Sequence, residues 1–152
     1  MTEDAVPLGV TLGSIFDERA EQYDAWFDEH AAAYWSELGA LRKASREGIG
    51  LEAGVGTGRF TGSMGVGFGI DPSPSVLSIA RRSGVKVVMG VAEGLPFRDR
   101  TFDIVTFVKT LCFVDDPLMA LVEARRVLRE HGRVIIGFID RGSRIGHGYQ
   151  GG

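Results

Sequence analysis

The sequence is poor in the features that mark secreted and membrane-bound proteins. Its 152 residues include one cysteine, Cys112, which excludes an internal disulfide and a cysteine-rich metal site. No apolar run approaches the roughly 18 residues of a membrane span, and the first ten residues lack the basic segment and apolar core of a signal peptide. We therefore expect a cytoplasmic protein that has no membrane partner.

Basic charge and histidine are scarce as well. Lys and Arg number 17 against 20 Asp and Glu, which makes a net charge of −3, and the basic residues are scattered along the chain. A nucleic acid backbone is held by clustered positive charge, so no nucleic acid partner is predicted. The histidines His30, His131 and His147 lack the spacing of metal ligands, and no metal site is predicted.

Apolar residues, in contrast, are abundant. Hydrophobic residues make up 44% of the chain and charged residues 24%, which is the balance of one globular domain with a buried core. We divide this single domain, residues 1–152, into an N-terminal helical region at 14–41, a core at 48–140 and a flexible, glycine-rich tail at 141–152.

The N-terminal region has the pattern of an amphipathic helix. Between residues 14 and 41, apolar residues recur every three or four positions. Ser14 together with Asp17 is predicted to cap the start of the helix. A break near His30 into two shorter helices is an alternative to one continuous helix.

After residue 48 the pattern changes to five short apolar runs that are typical of strands. They are predicted at 49–53, 66–70, 85–89, 104–108 and 134–139. Strands that are apolar on both faces suit a parallel sheet covered by helices. One helix is predicted to begin at Ser73 and end at Gly84, and another to run from Asp116 to about Glu130. This alternation predicts a doubly wound α/β domain.

Three glycines, Gly54, Gly56 and Gly58, follow the first predicted strand. Glycine permits positive φ angles and close approach of a ligand to the backbone, and ligands of open α/β sheets bind beyond the carboxyl ends of the strands. Glu52 lies at the end of the first strand and Asp71 closes the second, where a carboxylate can accept both hydroxyls of a ribose. The combination favours a nucleoside cofactor over an ordinary strand-to-helix turn.

The glycine spacing bears on which cofactor binds. Dinucleotide-binding folds use GxGxxG, in which the amides of a helix N-terminus meet a pyrophosphate. This chain has GxGxG and no basic residue inside the loop. An NAD-dependent oxidoreductase is therefore disfavoured, although it stays an alternative.

Five segments, in this order, resemble class I S-adenosylmethionine-dependent methyltransferases of the small-molecule "methyltransferase domain 11" type. They are GLEAGVGTGRF, GIDPSPSVLSIAR, GVAEGLPFRDRTFDIV, CFVDDP and RRVLREHGRVIIG. The resemblance covers roughly residues 23–141. It implies a three-layer Rossmann-like sandwich, in which a mainly parallel sheet of order 3-2-1-4-5 has helices on both faces and residues 14–41 form a helical lid.

The family usually has seven strands in the order 3-2-1-4-5-7-6, and the sequence ends before segments that could form strands 6 and 7. The resemblance therefore implies a truncated sheet whose fifth strand is an exposed edge. Natural proteins avoid such edges. We expect self-association into a homo-oligomer that covers it.

The resemblance also implies which residues bind the cofactor: Glu52, Gly54, Val55, Gly56, Thr57, Gly58, Asp71, Pro72, Ala92, Glu93, Val108 and Lys109. Asp71 is expected to hold the ribose hydroxyls, and Glu52 to anchor the loop near the ammonium group of the cofactor. Ala92 and Glu93 follow the third strand, where the adenine edge is bound. Val91 stands where many relatives have an aspartate that accepts from adenine, so we expect Glu93 or backbone groups to take over that contact.

Residues on two further segments are expected near the reacting methyl group. Residues 108–110 follow the fourth strand and line the methionine tail and the substrate entrance in the family. Tyr23 resembles a lid tyrosine that closes over the cofactor, and it is the catalytic candidate. His30 and Asp140 are further candidates for a general base by their location.

The implied reaction is an in-line displacement, in which a small-molecule acceptor takes the methyl group and S-adenosylhomocysteine is released. Correct positioning of the two reactants supplies most of the acceleration in such a reaction. The alternative function is a non-catalytic domain, or truncated methyltransferase, that binds S-adenosylmethionine or S-adenosylhomocysteine without turnover.

Overall fold

The computed structural model describes residues 17–144 and His147. Within this part of the chain, residues 17–18 are helical, and two helices, α1 (Ala20–Glu29) and α2 (Ala31–Ala44), precede the first strand. Strands and helices then alternate along the chain: β1 (Gly50–Ala53), α3 (Arg59–Met64), β2 (Phe68–Asp71), α4 (Pro74–Arg82), β3 (Lys86–Met89), β4 (Phe102–Val108), α5 (Pro117–Val127) and β5 (Leu128–Gly137).

The five strands form one parallel sheet in the order β3-β2-β1-β4-β5. This confirms the predicted doubly wound sheet and its strand order. Strand β1 is central and fully buried, and it pairs with β2 on one side and with β4 on the other. The direction of winding therefore reverses at the carboxyl end of β1, which is where ligands bind in folds of this kind.

Helices cover both faces of the sheet because successive strand residues point to opposite sides. On one face, Val105 and Phe107 of β4 pack in a cluster with Ala120 and Ala124 of α5. On the other, Ile104 packs in a cluster with residues of α1, α2 and α3, namely Phe27, Tyr34, Leu38, Leu41 and Phe60. The N-terminal helices are thus part of the second apolar core.

The start of two helices agrees with the predicted caps. Ser73 precedes Pro74 and accepts a hydrogen bond from the backbone N–H of Val76, and Asp116 precedes Pro117 and accepts one from Met119. A side-chain acceptor before a proline satisfies the free amides of the first turn.

The structure tests part of the prediction for the N-terminal helical region. The chain breaks at His30, between α1 and α2, which confirms the two-helix alternative. Asp17 is itself helical, and the start of the helix that contains it lies outside the described residues, so its predicted capping role stays a prediction. Its carboxylate accepts hydrogen bonds from the Ser73 hydroxyl at 2.8 Å and the Ser75 backbone N–H at 2.9 Å, at the start of α4. Ser14 lies outside the described residues.

The end of α5 was predicted too late and the start of β5 too late as well. The helix ends at Val127 instead of about Glu130, and β5 spans Leu128–Gly137 instead of 134–139. Leu128 has an extended backbone and is paired with Phe102 of β4. Pairing of the strand backbone therefore prevails over the helical pattern of the sequence there.

Strand β5 forms one edge of the sheet. Three apolar side chains on or just after it, Val134, Ile136 and Phe138, are 37%, 45% and 79% exposed. Self-association at this edge stays a prediction, as does the division into lid, core and tail. No helix in the described part of the chain is long and apolar enough to cross a membrane.

Candidate functional site

A cleft of about 750 Å³ lies at the carboxyl ends of the strands, beneath helix α1. Gly54, Gly56 and Asp71 form its lining at β1 and β2. Lys109 and Thr110 contribute from the end of β4. Tyr23 and Trp26 of α1, and residues 136–139 with Arg141 from β5 onward, complete the opposite walls. The volume is in the range of small-molecule sites, about 300–1,000 Å³.

The glycine loop brings backbone, without side chains, to the edge of this cleft. Gly54 has a φ of +76° and Gly56 one of +54°, values that favour glycine strongly. A Cβ atom on Gly54 would lie 2.2 Å from Cγ2 of Thr110, and one on Gly56 would lie 3.4 Å from Cε1 of Tyr23. The absence of a side chain therefore lets Thr110 pack directly on the backbone of Gly54 and leaves the backbone of Gly56 facing Tyr23.

Asp71 lies beside this loop with both carboxylate oxygens held. Oδ2 accepts a hydrogen bond from the Gly56 N–H at 3.0 Å, and Oδ1 accepts one from the Ser73 N–H at 3.0 Å. Burial raises the pKa of Asp71, and these two bonds oppose the rise. A carboxylate offers about four lone-pair sites, so each oxygen retains acceptor capacity for a hydroxyl of a ligand.

Glu52 lies below the loop, is 2% exposed and is not on the lining of the cleft. Its carboxyl group accepts a hydrogen bond from the Thr61 hydroxyl of α3. Burial raises the pKa of Glu52 to about 8, although the Thr61 hydrogen bonds lower it in part. This bond ties β1 to the helix that follows the loop. The predicted contact of Glu52 with the cofactor ammonium stays a prediction.

Val55 and Thr57, the two loop residues between the glycines, point into the protein. Val55 packs with Leu77 and Val85 under the loop, and Thr57 is buried. Neither side chain is on the lining of the cleft. Their side chains support the shape of the loop. Only their backbone groups are in a position to contact a cofactor.

Helix α1 is held over the loop by a charged cluster around Arg59. The guanidinium donates to the Asp24 carboxylate at 2.8 and 2.9 Å and to the Asp28 carboxylate at 3.0 Å. Hydrogen bonds from Arg59 hold the pKa values of both carboxyl groups below their usual range. Arg59 is the first residue of α3, directly after Gly58. The cluster therefore joins helix α1 to the residue that directly follows the glycine loop.

Lys109 has an uncommon conformation and surroundings. Its φ of +57° is rare for a residue with a side chain. Its ammonium lies 3.0 Å from Oε2 of Glu37 and 5.4, 5.6 and 5.5 Å from the ring centres of Trp26, Phe27 and Phe60. Such a cation is stabilised by the ring faces and by the carboxylate. Lys109 thus links the end of β4 to α1, α2 and α3.

The other predicted residues divide into those at the cleft and those away from it. Tyr23, Pro72 and Val108 are on the lining. Ala92 is buried in the core, and the Glu93 carboxylate accepts from the backbone N–H groups of Asp115 at 2.8 Å and Asp116 at 3.3 Å. Their contact with adenine stays a prediction.

The two further base candidates are also away from the lining. His30 stacks on Trp26 with a ring separation of 4.3 Å. Asp140 accepts hydrogen bonds in an exposed turn from the backbone N–H of Gly142. Of the three candidates for a general base, only Tyr23 lines the cleft.

Sequence reasoning missed Glu37, Arg59 and Thr61 as parts of the site. Asp24 and Asp28 are four residues apart and share a face of α1, so their spacing could have indicated a cationic partner. The pairing of Glu37 with Lys109 and of Thr61 with Glu52 has no comparable signal, because it depends on how helices pack against the sheet.

Comparison with known proteins decides the family. The pattern of the methyltransferase domain family matches residues 51–136, from β1 to β5. The structure superimposes on an S-adenosylmethionine-dependent methyltransferase of Thermotoga maritima with a TM-score of 0.87 and 45% sequence identity, over 91% of this chain and 67% of that one. The chain belongs to the S-adenosylmethionine-dependent methyltransferases.

Two sequence relatives of this methyltransferase extend the comparison. An uncharacterized protein of Methanocaldococcus jannaschii is 43% identical over 90% of this chain and 67% of its own length. A demethylmenaquinone methyltransferase of Staphylococcus aureus is 33% identical over 80% of this chain and 57% of its own length. The chain thus spans between 57% and 67% of the length of these three proteins, and 45% of three further mycobacterial relatives.

The residues of the methyltransferase cleft fit the cofactor that the family implies. S-adenosylmethionine has a ribose with two hydroxyls, and the Asp71 oxygens retain acceptor sites for them. Its methionine part has to pass close to the glycine loop, and Gly54 and Gly56 bring backbone without side chains to the lining there. The apolar side chains of Pro72 and Val76 on the same lining suit a flat base.

Proposed function

We propose that this chain binds S-adenosylmethionine in the cleft and transfers its methyl group to a small-molecule acceptor. The observation that carries the proposal is the juxtaposition of Asp71 and the glycine loop, in which the Gly56 N–H bonds the carboxylate at 3.0 Å. A carboxylate fixed beside a surface of bare backbone is suited to a ribose. Both features lie at the point where the winding of the sheet reverses.

Each residue has a distinct role in this proposal. Asp71 accepts the ribose hydroxyls, while Gly54 and Gly56 admit the methionine part of the cofactor. Tyr23 closes the cleft from the lid, which excludes water. Glu52 acts indirectly, because its bond to Thr61 keeps α3 and the loop in place.

The bound cofactor supplies a methyl group on an already activated sulfonium centre. The chain therefore has to orient the acceptor and exclude water, and orientation alone accounts for a large part of the acceleration in such reactions. Lys109 and Thr110 stand at the entrance to this part of the cleft, and the lid helix with Tyr23 and Trp26 forms its roof.

The names of two relatives support a small-molecule acceptor. The S. aureus relative is a demethylmenaquinone methyltransferase, and the T. maritima protein is described as a "possible histamine N-methyltransferase". Both acceptors are small molecules, but one is apolar and the other is a cationic amine at neutral pH.

Calorimetric titration with S-adenosylhomocysteine tests cofactor binding. Native protein is expected to bind, and Asp71→Ala is expected to bind about 100-fold more weakly, because hydrogen bonds to a charged acceptor contribute roughly 1.5–3 kcal/mol each. Asp99→Ala is the matched control, since Asp99 is largely exposed, pairs with Arg126 and is not on the lining.

The outcomes of the titration separate the parts of the proposal. Absence of binding to native protein would refute the cofactor site as a whole. Equal binding by native protein and Asp71→Ala would refute the ribose role alone. Turnover with a panel of small acceptors, followed by mass spectrometry, then distinguishes an enzyme from a domain that only binds the cofactor.

A further inference from the structure

The two ends of the cleft differ in chemical character. Asp71 follows β2, whereas Ile136, Phe138 and Arg141 lie on or after β5. In the order β2-β1-β4-β5 these strands are three spacings apart, which is about 14 Å at roughly 4.8 Å per spacing. With the cofactor ribose at Asp71, the acceptor has to enter from the β4–β5 end.

We infer that the acceptor of this chain is an apolar molecule whose reacting group is already an anion at neutral pH, such as a carboxylate, and not an ammonium compound. The inference rests on the proposed function, and it names the class of substrate for the same site. Three properties of the β4–β5 end carry it.

First, the walls at this end are apolar although they face the cleft. Ile136 is 45% exposed and Phe138 is 79% exposed, and both line the cleft together with Ile139 and Phe113. Trp26 forms the facing wall from the lid. Apolar surface of this kind, left open at a binding cleft, favours an apolar ligand.

Second, the charged side chains at this end are basic. Among the described residues that line the cleft, Lys109 and Arg141 are the basic ones and Asp71 is the acidic one, at the opposite end. Glu37, the partner of Lys109, is not on the lining. The described residues of the lining at this end thus include two basic residues and no acidic one, a balance that favours an anion over an ammonium group.

Third, the lining offers an ammonium acceptor no carboxylate or imidazole at this end to remove its proton. Amines of the lysine type have a pKa near 10.4, so such an acceptor must lose a proton before it has an electron pair to react. The described residues on the lining include no histidine and no glutamate, and Asp71 is bonded to the Gly56 and Ser73 amides.

An acceptor that is ionised at neutral pH, such as a carboxylate, avoids this requirement, and its reaction balances without a base. Its electron pair forms the new bond to the methyl carbon, the bond between that carbon and sulfur breaks, and the pair of the broken bond stays on sulfur. The negative charge of the acceptor and the positive charge of the sulfonium disappear together, so no proton has to leave.

Three probes of the same size test the inference: 1-naphthoate, 1-naphthylmethanol and 1-naphthylmethylamine. They share the apolar ring and differ in charge. Each is titrated calorimetrically into the full chain saturated with S-adenosylhomocysteine, whose own binding is measured first. We expect the carboxylate to bind at least tenfold more tightly than the ammonium compound, with the alcohol between them.

Variants identify the source of the preference. Lys109→Met keeps the length of the side chain and removes its charge, so the preference for the carboxylate over the ammonium probe should fall about fivefold. Glu37→Gln removes the countercharge and should increase the preference. Arg141→Met provides the same test as Lys109→Met if that variant fails to fold, and Lys43→Met, on the exposed side of α2, is the control.

A preference below tenfold, a reversed order, or binding of none of the three probes overturns the inference while S-adenosylhomocysteine still binds. A preference that is unchanged in both Lys109→Met and Arg141→Met also overturns it, because the charge would then come from elsewhere. Failure of S-adenosylhomocysteine to bind to native protein counts against the proposed function itself, and the two failures are therefore distinguishable.

Discussion

The floor and the roof of the cleft are built from different interactions. The floor, at Gly54, Gly56 and Asp71, consists of backbone groups and one carboxylate that lie within 18 residues of one another along the chain. The roof, helix α1, is held by ionised side chains whose partners are 31 and 35 residues away, at Arg59. We expect a floor made of local backbone to persist without the ligand, and a roof held by partly exposed ion pairs to open and admit it.

The largest effect is expected from a change in the floor. In Gly54→Ala the new Cβ would lie 2.2 Å from Thr110 Cγ2 at a φ of +76°. We expect a loss of about 4 kcal/mol of unfolding free energy, from backbone strain and overpacking, and no measurable binding of S-adenosylhomocysteine. Chemical denaturation and calorimetry measure the two effects.

The control for this variant is Gly67→Ala, because a Cβ atom at Gly67 has no neighbour within 4 Å. It should change the unfolding free energy by less than about 0.5 kcal/mol. Similar losses in Gly54→Ala and Gly67→Ala would contradict the account of the floor as a surface shaped by the absence of a side chain.

The next effect concerns the support of the floor and depends on pH. The pKa of Glu52 is raised from 4.5 to about 8 by burial. Between these values the folded protein binds a proton that the unfolded chain has lost, so the Glu52 contribution to stability is present below about pH 4.5 and is lost as the pH rises to about 8. Glu52→Gln can still accept the hydrogen bond from the Thr61 hydroxyl, and it should abolish this loss of unfolding free energy, which is a few kcal/mol in size.

Urea denaturation of native protein and Glu52→Gln at several pH values between 5 and 8 measures this difference. Native protein should lose stability relative to the variant as the pH rises. A parallel pH dependence of the two proteins would show that Glu52 is ionised in the folded state across this range. Glu130→Gln is a suitable control, because Glu130 is exposed and is bound only loosely by His131 at 4.0 Å.

A smaller effect is expected in the roof. Arg59→Met removes the cation between Asp24 and Asp28. The side chain of Asp24 is about three-quarters buried, and that of Asp28 is exposed. The unfolding free energy should fall by about 1 kcal/mol, while amide hydrogen exchange in α1 accelerates and exchange in β1 and β4 is unchanged.

Arg82→Met is the matched control for the roof, because Arg82 also pairs with α1, through Glu21, but at 3.4 Å between exposed side chains. It should leave exchange in α1 nearly as it is. Equal acceleration in the two variants, or acceleration throughout the sheet in Arg59→Met, would contradict a lid that opens independently of the floor.

The smallest effect on stability is expected at the β5 edge. Val134 is 37% exposed there, and a lysine on an edge strand opposes pairing with another chain. Val134→Lys should change the unfolding free energy by less than about 0.5 kcal/mol but reduce self-association, measured by size-exclusion chromatography with light scattering. Val122→Lys, on exposed α5 surface, is the control, and a native protein that is monomeric at high concentration would contradict self-association.

The strands and the glycine loop could be predicted because their signals are local. Four of the five strands lie within two residues of the predicted bounds, since short apolar runs between turn residues are typical of buried parallel strands. The start of β5 was missed because residues 128–130 continue the helical pattern of α5. Only the pairing of Leu128 with Phe102 makes them extended.

The sequence by itself determined the doubly wound fold, the loop from Gly54 to Gly58 and the position of Asp71 beside it, because each depends on residue type at short spacing. The tertiary structure alone decided that Glu52 is buried against Thr61, that Arg59 binds Asp24 and Asp28 of helix α1, and that Lys109 lies among three rings with Glu37. These contacts join elements that are distant along the chain, and the energy of a charged side chain depends on the burial and the partners that only packing of the helices on the sheet provides.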